Sequence, residues 1–148
     1  MNVKLICDIF NFIGFIGLLF ILNNSLENID LYIVYYLLFG ILIYTCSRLL
    51  NISRLMEIYH YMLALAFGLI PFITYNKEIL IWHLFFIILT IVSRIKLNGC
   101  IVRKLEGKNP ITDNYFTNMF NWDVIFPLLA LTTLTKLYLY HFTLDKSV

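Results

Sequence analysis

The segment LICDIFNFIGFIGLLFIL, residues 5–22, carries one charged side chain, Asp8, in eighteen positions. A helix rises about 1.5 Å per residue and needs roughly 20 apolar residues to cross the hydrocarbon of a bilayer, so this stretch is near spanning length. In lipid it has to be helical, because every backbone amide there needs a partner inside the segment. Four further stretches have the same character, at 31–47, 58–75, 79–95 and 124–142. The alternating pattern of a barrel is absent. The expected fold is therefore all-α: a polytopic transmembrane helical bundle of about five spans, with four as the alternative, forming a single integral membrane domain over residues 1–148.

Composition agrees with that reading. Of 148 residues, 61% are hydrophobic and 14% charged, the reverse of the balance in a soluble domain. The formal charge of +2 and the scatter of eleven Lys and Arg through short connections exclude a nucleic-acid interface. The first apolar run is followed by Asn23-Asn24-Ser25 rather than by a small-residue cleavage site, so it reads as a retained helix and not a signal peptide.

The connections give an orientation. Lys4, Arg48, Arg54, Arg94, Lys96, Arg103, Lys104 and Lys108 fall on one side, and Lys77, Lys136 and Lys146 on the other. Cytoplasmic loops carry the excess of basic residues, which places the N terminus in the cytoplasm and the C terminus outside. The fifth stretch is the weakest, with Pro127, Thr132, Thr133, Thr135 and Lys136; without it the C terminus would be cytoplasmic and the bias ten to one. Lys136 is close enough to the outer end to extend its ammonium to the surface. Pro71 predicts a bend in the third helix with loss of one backbone hydrogen bond. Gly14 and Gly17, and the pair Ala64 and Gly68, are sites of close helix approach, read as packing within the bundle. Trp82 is expected at the outer interface.

The long cytoplasmic loop, 96–123, has room for structure of its own. Asn98-Gly99 and Gly107-Lys108-Asn109-Pro110 read as turns around a short basic piece from Cys100 to Glu106. Beyond it Ile111, Tyr115, Phe116, Met119 and Phe120 recur at helical spacing opposite Thr112, Asp113, Asn114, Thr117 and Asn118, the pattern of a short interfacial amphipathic helix ending at Trp122.

This topology gathers Asp8, Arg48, Glu57, His60, Arg94 and Asp123 into a candidate polar layer near the cytoplasmic ends of the helices. Ionisable groups at membrane depth are costly and need partners, and Asp8 is expected to pair with Arg48 or Arg94. Glu57 and His60 have the Glu-x-x-His spacing of di-iron bundles, but one copy without further carboxylates supports neither a metal nor a cofactor site. Cys7, Cys46 and Cys100 all fall toward the cytoplasmic side, where thiols stay reduced. Cys100, among Lys96, Arg103 and Lys104, is the candidate for modification or reactivity, in a setting that favours the thiolate. Of the three histidines, His60 alone is placed to approach it, since His83 and His141 lie toward the outer ends. His83 reads as a buried histidine hydrogen-bonded across helices.

No filter sequence, phosphate loop or nucleophile elbow is present. The sequence therefore favours a small multi-pass protein that is a non-enzymatic structural or accessory membrane component, partnered by the lipid bilayer and by other membrane proteins. A small transporter or channel using the polar layer is the alternative. A membrane-embedded enzyme acting on lipid through Cys100, His60 or Glu57 comes third.

Overall fold

The structure, a computed structural model, describes residues 2–105 and 121–144, with side chains to Tyr140. The amphipathic stretch expected at 111–120, together with Lys108, Lys146 and the side chain of His141, lies outside the described residues. Six helices are described: α1 Val3–Leu22, α2 Asn28–Leu50, α3 Ser53–Ile73, α4 Lys77–Leu97, α5 Ile101–Leu105 and α6 Trp122–Leu144. All except α5 are long and apolar enough to cross a membrane. The chain forms a helical bundle with the build of an integral membrane protein.

The helices exceed the apolar runs that announce them. Helix α3 begins at Ser53, five residues before Ile58, and α2 continues past Ser47 to Leu50. The apolar run measures the hydrocarbon layer, whereas backbone hydrogen bonding continues into the polar zone. What ends the helices is backbone chemistry. Asn51 and Asn98 close α2 and α4 with φ of 55° and 53°, the left-handed conformation that Asn tolerates, and Gly99 follows at φ 142°. Asn2 and Asn76 cap α1 and α4 through their side-chain oxygens, which accept from the amides of Leu5 and Ile79.

Successive spanning helices run in opposite directions, so the bundle has two ends. The N termini of α1, α3 and α6 and the C termini of α2 and α4 share one of them, called here the proximal end. Burial is inverted relative to a protein in water. Phe12, Phe20, Phe39, Leu49, Phe72 and Ile95 face outward, while the interior is divided between a distal cluster around Leu18, Val34, Ile70 and Ile79, a proximal cluster around Cys7, Tyr44, Tyr59 and Val102, and a third around Phe67, Ile87, Phe126 and Leu129.

Two features lock α4 into the bundle. Gly14 and Gly17 form a notch on α1, where an added Cβ would stand 3.2 Å from Phe86 Cζ and 3.0 Å from Trp82 Cδ1. Trp82 fills that notch, and its Nε1 donates to the Gly14 carbonyl at 3.4 Å, so it packs α4 against α1. Gly68, by contrast, has nothing within 4 Å of a Cβ position, and the Ala64 and Gly68 pair makes no comparable approach.

The second lock follows from Pro71. A proline in a helix lacks the N–H that would reach the carbonyl four residues earlier, here that of Phe67. His83 supplies the missing donor: its Nε2 lies 3.0 Å from the Phe67 carbonyl and its Nδ1 2.9 Å from Thr133 Oγ1 on α6. With the proton on Nε2 the ring donates to the Phe67 carbonyl, and its Nδ1 competes with the Leu129 carbonyl, also 2.9 Å away, for the single proton of the Thr133 hydroxyl. The ring is 0% exposed. One imidazole on α4 thus ties the Pro71 turn of α3 to α6.

The fifth span is tied at the distal end as well. Lys136 Nζ donates to the Thr74 carbonyl at 3.0 Å and lies 3.9 Å from the Tyr75 ring centroid. Thr74 in turn donates to the buried Asp30 carboxylate and accepts from the Asn76 amide. Lys136, which limits the apolar length of α6, therefore holds that helix against the α3–α4 turn.

Candidate functional site

Every residue of the expected polar layer stands at the proximal end, on α1, α2, α3, α4 or α6, but the layer resolves into separate local pairs. Arg48 meets Asp8, with Nε 3.3 Å from Oδ1 and NH2 3.3 Å from Oδ2. Tyr44 adds a hydroxyl donated to Asp8 Oδ1 at 2.5 Å. Of the two arginines expected for Asp8, the structure selects Arg48, because α1 lies beside the C-terminal turn of α2. Arg94 instead bonds Asp123 at 2.8 Å and lies 5.8 Å over the Phe126 ring. Glu57 is half-buried in the first turns of α3.

Asn11 and Tyr59 form a contact that the sequence does not announce. The Tyr59 hydroxyl donates to Asn11 Oδ1 at 2.6 Å, and Asn11 Nδ2 donates to the Cys7 carbonyl at 2.9 Å. The signal was an asparagine one turn after Asp8 and a tyrosine at the right depth on α3.

His60 and Cys100 do come together, with Sγ 3.3 Å from Nε2. The close of α4 at Asn98-Gly99 turns the chain back under the bundle, so that Cys100 precedes the first turn of α5 and faces α3. The expectation that nearby basic residues favour the thiolate is corrected by burial. Burial pushes the thiol above its ordinary value, and the amides of Arg103 and Val102 and the charges of Arg94 and Arg103 only partly offset this. Arg103, read from the sequence as part of a short basic piece of the loop, is 2% exposed. The short α5 folds against α1 and α4 and carries that side chain inward.

These residues border a cavity of about 910 Å³. Its deeper wall is apolar, with Phe10, Leu63, Phe67, Phe86, Ile91 and Phe126, and its proximal rim carries His60, Cys100, Arg94, Arg103 and Asp123. Along α4 the wall extends from Trp82 to Arg94, twelve residues or about 18 Å of helical rise. One leaflet's hydrocarbon is about 15 Å thick, half of the bilayer core.

No protein-family model matches the chain. No curated protein and no solved structure matches it either.

Proposed function

We propose that the protein is a non-enzymatic accessory component of the membrane that holds an anionic amphiphile, with the hydrocarbon chain in the cavity and the head group at the arginine-bearing rim. The observation that carries the reading is the gradient along that cavity, apolar at depth and lined by Arg94 and Arg103 at the rim, over a length close to one leaflet. Ligand pockets typically have volumes of about 300–1,000 Å³, mostly apolar walls and a few placed polar groups, and this cavity has that make-up. A single hydrocarbon chain suits the wall, and a carboxylate or phosphate suits the rim. The basic residues of the connections favour a cytoplasmic proximal end, which would draw the amphiphile from the inner leaflet.

The polar contacts described favour holding over conduction. Asp8 is closed by Arg48 and Tyr44, and Arg94 by Asp123, while His83 is held by Phe67 and Thr133. Local pairs of this kind stabilise a bundle, whereas a proton relay needs exchangeable neighbours in sequence.

Native mass spectrometry of the detergent-solubilised protein with palmitate tests the proposal. One palmitate per chain is expected, and hexadecanol, which has the chain without the charge, should bind at least about 10-fold more weakly, since a charge-assisted hydrogen bond contributes about 1.5–3 kcal/mol. Arg103→Gln should weaken palmitate and leave hexadecanol unchanged. Equal binding of the two amphiphiles, or no saturable binding of either, would remove the proposal.

A further inference from the structure

We propose that Cys100 is an S-acylation site that loads itself from a long-chain acyl thioester, with His60 as the base and the acyl chain lodged in the cavity. The inference rests on the reading of that cavity as a hydrocarbon site and adds a covalent step at its rim. Three observations meet here. Cys100 Sγ is 3.3 Å from His60 Nε2, within reach for proton transfer. Both side chains border the cavity, at the point where its apolar wall gives way to the charged rim. Helix α5 fixes the cysteine, because the Cys100 carbonyl accepts from the Lys104 amide at 3.1 Å.

The chemistry balances with a thioester as donor. His60 Nε2 takes the proton of the Cys100 thiol as Sγ attacks the carbonyl carbon of the donor, which requires the tautomer with the proton on Nδ1. The tetrahedral adduct collapses by breaking the carbon–sulfur bond of the donor. The departing thiolate takes the proton back from His60, leaving a neutral imidazole, an acyl-cysteine and a free thiol. No oxidant, reductant or metal is involved. The base matters because the half-buried cysteine is held as the thiol and is no nucleophile in that form. A thioester is exchanged for a thioester, so burial of the chain along the apolar wall supplies the net driving force.

Cys46 provides an internal comparison. It lies on α2, half-buried, and is not among the cavity residues. Cys7 borders the cavity and is buried, but the His60 nitrogen is directed at Cys100.

The test is to incubate the purified full-length protein in detergent with palmitoyl-CoA at pH 7 and follow intact mass, with peptide mapping and neutral hydroxylamine release. One palmitoyl group is expected, on Cys100 and removed by hydroxylamine. His60→Gln should slow its appearance by about 100-fold, the low end of what a general base contributes. Circular dichroism spectra and thermal stability of that variant and of Cys100→Ala should match the wild type, which shows that the fold persists, and Cys46→Ala, outside the cavity, should still bind one palmitate and acylate at the wild-type rate. Acylation at Cys7 or Cys46 instead, or an unchanged rate in His60→Gln, would overturn the proposal. Palmitate binding without acylation of the wild type would overturn the covalent step alone. Absence of both would overturn the cavity reading beneath it as well.

Discussion

Replacing His83 by Leu should destabilise the bundle chiefly by stranding the Phe67 carbonyl, and restoring an N–H at position 71 should recover that part of the loss. The Phe67 carbonyl is deprived of its helical donor by Pro71 and accepts from His83 Nε2 at 3.0 Å instead. An unsatisfied buried carbonyl costs about 1–3 kcal/mol in a protein interior. Interhelical hydrogen bonds in bilayers average nearer 0.6 kcal/mol, with a maximum near 1.7, so about 1 kcal/mol is the expected share. His83→Leu also loses the Thr133 contact and the edge-on packing against Phe67, whose ring centroid is 5.9 Å away. Those losses are the same whether residue 71 is Pro or Ala, and a double-mutant cycle cancels them. In the Pro71→Ala background, His83→Leu should therefore cost about 1 kcal/mol less than in the native background. Equilibrium unfolding in mixed micelles, followed by circular dichroism on all four proteins, gives the coupling. Agreement of the two costs within about 0.5 kcal/mol would show that His83 does not substitute for the proline's missing donor.

Asp8→Asn should cost about 0.2–1 kcal/mol, the range of an exposed ion pair, since Arg48 and Asp8 are 29% and 46% exposed. Asp8→Ala should cost about 1–3 kcal/mol more, because the buried Tyr44 hydroxyl then loses its acceptor; equal thermal stability of the two variants in detergent would count against the triad. Gly17→Ala should destabilise by about 1–3 kcal/mol through overlap with Trp82, whereas Gly68→Ala, in open space, should be neutral or stabilising by up to about 1 kcal/mol. The opposite order in a thermal-shift measurement would refute the notch. A reporter fused after Val148 should score outside and one inserted near Gly107 cytoplasmic; a reversed result would invert the membrane orientation and place the cavity rim on the other face.

The spans were legible in the sequence because the hydrocarbon layer imposes a length and an apolar content on any helix that crosses it. Their ends were not, since Ser53, Arg54 and Glu57 are polar and still helical; only a capping residue such as Asn51 or Asn98 marks where a helix stops. The depth of Asp8 made an arginine partner foreseeable, but the choice of Arg48 over Arg94 depends on which helices are neighbours, and periodicity carries no such information. His60 could be singled out for Cys100 by elimination, while the inward turn of Arg103 could not, because a basic residue in a short loop reads as solvated. His83 is buried and hydrogen-bonded across helices, as read from the sequence, but its partners were not foreseen. Pro71 identifies the orphaned carbonyl as that of Phe67 by counting back four residues, and a buried histidine on the next helix is a suitable donor; the missing step was the alignment of α3 with α4.

The chain has two tryptophans, Trp82 and Trp122, and both border the cavity, so their fluorescence reports its occupancy directly. Titration of the detergent-solubilised protein with a dibrominated stearate should quench that emission saturably, at about one ligand per chain, and unbrominated palmitate should restore it by competition. Quenching that rises without saturation and does not respond to palmitate would mean that the bromines reach the tryptophans only through the surrounding micelle, and that the cavity holds no amphiphile.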